Sequence, residues 1–129
     1  MSDNGKRILV VDDVEEILSG LSGILMAEGY DVLQASNGVM ALQMLDENID
    51  MVITDILMPE MDGIELSQKI KDKFPDVELI LISGGGRQPA GDHGYDYLKV
   101  AKKLTGVESI LKKPFDPEKL IELVNSKLS

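Results

Sequence analysis

Short apolar runs alternate along this chain with longer segments of helical period. The runs, rich in β-branched residues, are Arg7–Val11, Asp31–Ala35, Met51–Thr54, Val77–Ile82 and Ser109–Leu111. Between them the period changes. Ile17, Leu21, Ile24 and Leu25 recur at helical spacing, as do Leu66, Ile70 and Phe74, and later Leu120, Ile121, Val124 and Leu128. The punctuation agrees with this reading. Asp62, followed three residues later by Glu65, resembles a capping box with Asp as the cap. Asp116-Pro117 sets a cap residue before a proline at the first helical position. Gly29 and Gly106 suit helix ends.

Ile8–Val11 and Leu79–Ile82 are apolar without alternation, the pattern of parallel strands covered on both faces. Right-handed crossovers then predict an α/β fold, a (βα)5 doubly wound parallel sheet in the flavodoxin-like order 2-1-3-4-5. Residues 7–128 are expected to form one domain behind a flexible N-terminus, residues 1–6. The irregular stretch is Gly84–Gly94, which holds a proline and several glycines and is long for a βα connection.

At 129 residues the chain has the size of a single domain. Aromatic residues are only 4% of it, so Leu, Ile, Val and Met must fill the core. The net charge of −10 argues against nucleic acid, which needs clustered Lys and Arg, and against an anionic membrane surface. With no cysteine there is neither a disulfide framework nor a thiolate metal site, which fits a reducing cytoplasm. The polar start and the brevity of the apolar runs fit neither a signal peptide nor a membrane span.

In sheets of this kind ligands bind beyond the carboxyl ends of the strands, where strand order reverses. The first strand is followed by Asp12-Asp13, the third by Asp55, the fourth by Ser83 and the fifth by Lys112-Lys113-Pro114. Helix capping explains one acid or the serine, since Asp and Ser are common caps. It does not explain three acids on one edge. Like charges about 5 Å apart repel by roughly 3 kcal/mol at an effective dielectric near 20. Such a cluster calls for a hard cation, and all-oxygen ligands with room for phosphate oxygens favour Mg²⁺. Asp55 can then serve as a nucleophile, because carboxylates form phosphoryl intermediates.

Val10-Val11-Asp12-Asp13, the string from Asp55 through Met58-Pro59 to Met61-Asp62-Gly63, Ser83, and Lys113-Pro114-Phe115 together resemble the receiver domains of two-component response regulators. The resemblance implies that Asp55 is the phosphoacceptor. It implies that Asp13, Asp55 and the Leu57 backbone carbonyl bind Mg²⁺, with Asp12 acting through a water. Ser83 would be the switch hydroxyl, Lys113 would pair with the phosphoryl group, and the Lys113–Pro114 bond would be cis. The implied partners are a histidine kinase or a histidine phosphotransfer protein upstream and an unknown protein downstream. Ending after its fifth helix, the chain is expected to be a stand-alone regulator without an output domain. It would signal by conformational change or onward transfer, dephosphorylating slowly and turning over no substrate in trans.

Two positions depart from the family pattern. Ile110 stands where an aromatic residue commonly lies, three before the lysine, and the segment between Ser83 and Lys113 is long. Phosphorylation is therefore expected to bias residues 84–104 instead. Other features carry less. His93 is the only histidine, so no histidine relay or metal triad can form. Gly84-Gly85-Gly86 suits a loop better than an anion cradle, Lys112 a solvated surface, and Met58, Met61, Tyr95 and Tyr97 packing. A phosphohydrolase of the aspartate-nucleophile kind would want an acid two residues after Asp55, where this chain has Leu57.

Overall fold

The computed structural model describes residues 5–83, 101–107 and 109–128. Five parallel strands form one sheet: β1 (Arg7–Val11), β2 (Asp31–Ala35), β3 (Met51–Asp55), β4 (Glu78–Ser83) and β5 (Ile110–Lys112). Their order is β2-β1-β3-β4-β5, as the sequence predicts. The helices are α1 (Glu15–Ala27), α2 (Gly38–Met44), α3 (Gly63–Lys73) and α4 (Pro117–Leu128). Residues 101–105 are also helical. The expectations for Gly84–Gly94, His93, Tyr95 and Tyr97, and for residues 1–4 of the N-terminus, lie outside the described residues.

Unbroken apolar strands are explained by a core on each side of the sheet. Alternate residues of a strand point to opposite faces. Ile8, Val10, Ile53, Ile80 and Ile82 join Leu18, Leu21 and Leu25 of α1 and Leu120 and Val124 of α4 in one cluster. Leu9, Val11, Val52, Leu79 and Leu81 join Ala41 of α2, Leu66 and Ile70 of α3, and Ala101 and Val107 in the other. The predicted low aromatic content is thus met by aliphatic side chains on both faces.

Strands four and five each begin and end one residue later than the hydrophobic pattern suggests. The Val77 N–H still donates to the Phe74 carbonyl at 3.2 Å, so Val77 closes the preceding turn although its side chain is buried. At the other end Lys112, a polar residue, is drawn into the ladder opposite Ser83.

Helix ends follow the sequence signals. Asp62 accepts the Glu65 N–H at 2.8 Å and Asp116 accepts the Glu118 N–H at 2.9 Å. Gly29 and Gly106 adopt φ of +93° and +73°, the left-handed geometry that glycine takes without a Cβ penalty. A cap not read from sequence is Asn37, which accepts the Met40 N–H at 2.7 Å and opens α2.

Candidate functional site

Register brings the strand ends together. Val11 pairs with Thr54, so Asp12 and Asp55 follow side by side at the edge between β1 and β3. This is where strand order reverses, because β1 is flanked by β2 on one side and β3 on the other. Asp55 lies opposite Ile82, and Ser83 opposite Lys112. The Lys113 N–H donates to the Ser83 carbonyl at 2.8 Å, extending the β4–β5 ladder by one rung beyond the strand. The Lys113–Pro114 bond is cis, as the resemblance implies.

Carboxylate oxygens of Asp12, Asp13 and Asp55 lie within 4.8 Å of one another. Asp12 is fully buried and Asp55 is 5% exposed. Lys113 Nζ lies 3.2 Å from Asp55 Oδ2 and 3.5 Å from Asp12 Oδ2. The lysine thus bridges two of the acids, a double pairing that the sequence does not show. Asp13 Oδ1 is buried and accepts no hydrogen bond.

Hydrogen bonds fix the carboxylates. Asp12 Oδ1 accepts the Val14 N–H at 2.9 Å, at the start of α1. Asp55 Oδ1 accepts the Leu57 N–H at 3.3 Å, which brings the Leu57 backbone to the pocket. Burial raises the Asp12 carboxyl above the ordinary aspartate range. The Val14 N–H opposes that shift, the Asp55 charge adds to it and Lys113 opposes it.

Every predicted site residue therefore lies at one edge. Asp12, Asp13, Asp55 and Lys113 converge by side chain, Leu57 through its N–H, and Ser83 by its place at the end of β4, where it is 4% exposed. Ile110 pairs with Leu81 in β5 and packs half-buried against the α2–α3 core.

Two features between β3 and α3 were not read from the sequence, the turn at Glu60 and the close approach at Gly63. Glu60 adopts φ +68°, and the Met61 N–H donates back to the Pro59 carbonyl at 2.8 Å, a tight γ-turn. Gly63, the first residue of α3, lies against the peptide that follows Asp55. A Cβ there would stand 2.3 Å from the Asp55 carbonyl oxygen. The available signal was a glycine at a first helical position, where residues of better helix propensity are usual.

A doubly wound sheet with an acid-rich, lysine-bridged pocket at its switch point defines a flavodoxin-like α/β protein with a cation-receptive edge. Residues 8–125 match the response regulator receiver domain, and the chain belongs to that family. It is 34% identical over 120 residues to the transcriptional regulatory protein CpxR homolog of Haemophilus influenzae, covering 93% of this chain and 49% of that protein. A response regulator receiver domain protein of Clostridium thermocellum matches with a TM-score of 0.82 at 29% identity, covering 95% of this chain and 94% of that one. The response regulator TrrA of Thermotoga maritima, solved with Mg²⁺ and BeF, matches with a TM-score of 0.77 at 33% identity, covering 95% and 99%. The chain spans about half the length, or less, of the curated relatives it matches. Receiver domains are phosphorylated by histidine kinases and generally use Mg²⁺ at the acidic pocket. Among the described residues no helix is long and apolar enough to cross a membrane.

Proposed function

We propose that residues 7–128 act as a phosphoacceptor unit in which Asp55 takes a phosphoryl group from a histidine kinase or phosphotransfer protein. The observation that carries this reading is the Asp55 carboxylate at the switch point, 3.2 Å from Lys113 Nζ and clustered with Asp12 and Asp13.

The donor set suits Mg²⁺. It is all oxygen, and the buried Asp13 Oδ1 has an unused lone pair that a cation would satisfy. Asp13, Asp55 and the Leu57 carbonyl would hold the ion, with Asp12 reaching it through a water. When bound, Mg²⁺ supplies positive charge against the phosphoryl oxygens. The chain's own groups do the rest. The Leu57 N–H holds one oxygen of Asp55, leaving the other to attack phosphorus as the bond from phosphorus to the donor breaks. Lys113 can follow the transferred charge, because its ammonium already lies between two carboxylates. Ser83, at the end of β4, donates to a phosphoryl oxygen and couples the site to its own strand.

Leu57 offers no proton and no side-chain hydrogen bond to a water, so hydrolysis is slow and no ester is turned over in trans. The phosphorylated unit then signals by conformational change or onward transfer, in the cytoplasm. Treating the protein with a small phosphodonor and Mg²⁺ tests the assignment. Intact-protein mass spectrometry should show one added phosphoryl group in the wild type and none in Asp55→Ala. The same adduct in both proteins would overturn it.

A further inference from the structure

We infer that Gly63 is a positioning residue for Asp55, acting through the backbone of β3 and not through any contact with the transferred group. This rests on the reading of Asp55 as the phosphoacceptor.

Asp55 is the last residue of β3, and its carboxylate is only as well placed as the peptide that follows it. The two peptides that follow Asp55 are each held by a hydrogen bond. The Ile56 N–H donates to the Ile82 carbonyl at 2.9 Å, continuing the β3–β4 ladder. In the second, the Gly63 N–H donates to the Ile56 carbonyl at 2.7 Å. The first turn of α3 thereby closes the connection from residue 56 to residue 63 into a loop anchored at the nucleophile.

The approach is closer than any side chain permits. A Cβ on Gly63 would lie 2.3 Å from the Asp55 carbonyl oxygen, 2.8 Å from Ile56 Cα and 3.0 Å from the Asp55 carbonyl carbon. All three are backbone atoms held in the sheet, so relief requires moving either the helix end or the Asp55–Ile56 peptide. Helix α3 is itself fixed by its Asp62 cap and by Ile64, Leu66 and Ile70 in the core. The strain therefore falls on the peptide that carries Asp55. Gly63 does not need a left-handed φ, so close approach, not backbone freedom, explains the glycine.

Gly38, the first residue of α2, gives the contrast. A Cβ there would meet Met61 Sδ at 2.9 Å and its Cβ and Cγ at 3.1 Å. The closest of these, Sδ, ends a flexible thioether side chain that can turn aside, and Cβ has only a few tenths of an ångström to give. Adding a methyl group at Gly38 burdens the connection; adding one at Gly63 burdens the nucleophile.

Phosphorylation rates with a small phosphodonor, measured over donor concentration at saturating Mg²⁺, test this. A displacement approaching 1 Å costs on the order of 100-fold in a positioned reaction. In Gly63→Ala the maximal rate should fall at least about tenfold, with half-saturating donor concentration within about twofold of wild type. Gly38→Ala should keep its maximal rate within about threefold, since its clash can relax. Circular dichroism at the assay temperature establishes that each variant is folded. A folded Gly63→Ala that reaches the wild-type maximal rate overturns the inference. If Gly63→Ala does not fold, Asp62→Ala loosens the same helix end without adding an atom. A lowered maximal rate at unchanged half-saturation then supports the inference, and an unchanged maximal rate overturns it. Labelling of Asp55 in the wild type, absent in Asp55→Ala, separates failure of this idea from failure of the phosphoacceptor reading.

Discussion

Burial holds the Asp12 carboxyl above the ordinary aspartate range, the Asp55 charge adds to this, and the Val14 N–H and Lys113 counter it only in part. A raised carboxylate favours its neutral form in the fold. Its contribution to stability is greatest below the ordinary aspartate range and is lost as pH rises toward the folded value. Asp12→Asn keeps an oxygen for the Val14 N–H and removes the buried charge, while Lys113 retains Asp55. The variant should melt above wild type at neutral pH without Mg²⁺. The difference should vanish as pH falls below the ordinary aspartate range, where Asp12 is protonated too. Thermal melts across pH check both the sign and the window. Glu60 offers a second test at this scale. Its φ of +68° costs a side-chain-bearing residue about 1 kcal/mol, so Glu60→Gly should gain up to about that much, less the entropy that glycine adds to the unfolded chain. Urea unfolding measures it. Neither position could be weighed from sequence, because the cost lies in a dihedral angle and in burial, not in residue type.

Among the elements, α2 is the least supported by its own sequence. It has seven residues, a glycine at its start and exposed Val39 and Met40. Its hydrophobic period is too short to read, which is why the sequence implied this helix only through the repeat of strand and helix. Asn37 compensates by accepting the Met40 N–H at 2.7 Å. Asn37→Ala should cost about 1 kcal/mol in urea unfolding. A cost near zero would mean that packing of Ala41, Leu42 and Met44 holds the helix without the cap. The longer elements were legible because their signals are redundant: α3 has a cap, an apolar stripe and an acid-to-base charge gradient. Strand limits were less so, since pairing decides them and hydrophobicity does not. That is how Val77 fell outside β4 and Lys112 inside β5.

For the whole molecule, three clustered carboxylates face one ammonium, Lys113, that pairs with two of them among the described residues, within a chain of net charge −10. The apo fold thus carries electrostatic strain that a cation would relieve. A Mg²⁺ concentration about 100-fold above the dissociation constant should add about 2.7 kcal/mol if the ion binds only the native state. Asp13→Asn should blunt that rise while leaving the apo protein at least as stable. Calorimetry with and without Mg²⁺ reads both, and a melting temperature indifferent to Mg²⁺ would contradict the cation assignment. This pocket was legible in the sequence because each acid directly follows a strand, so topology alone carries it to the edge. The Gly63 contact was not, because it depends on how closely two backbones approach.

The sheet also works as a partition. Among the described residues the clusters on its two faces share no side chain, one built on α1 and α4, the other on α2, α3 and residues 101–107. Damage on one face should therefore be independent of damage on the other. Val124→Ala and Ile70→Val lie on opposite sides, and their costs should sum to within about 0.5 kcal/mol in the double variant. A larger discrepancy would mean that the strands transmit strain through the sheet. With independence, each face can accept substitutions over evolutionary time without renegotiating the other. The strands answer to both faces, and at their ends stand Asp12, Asp55 and Ser83.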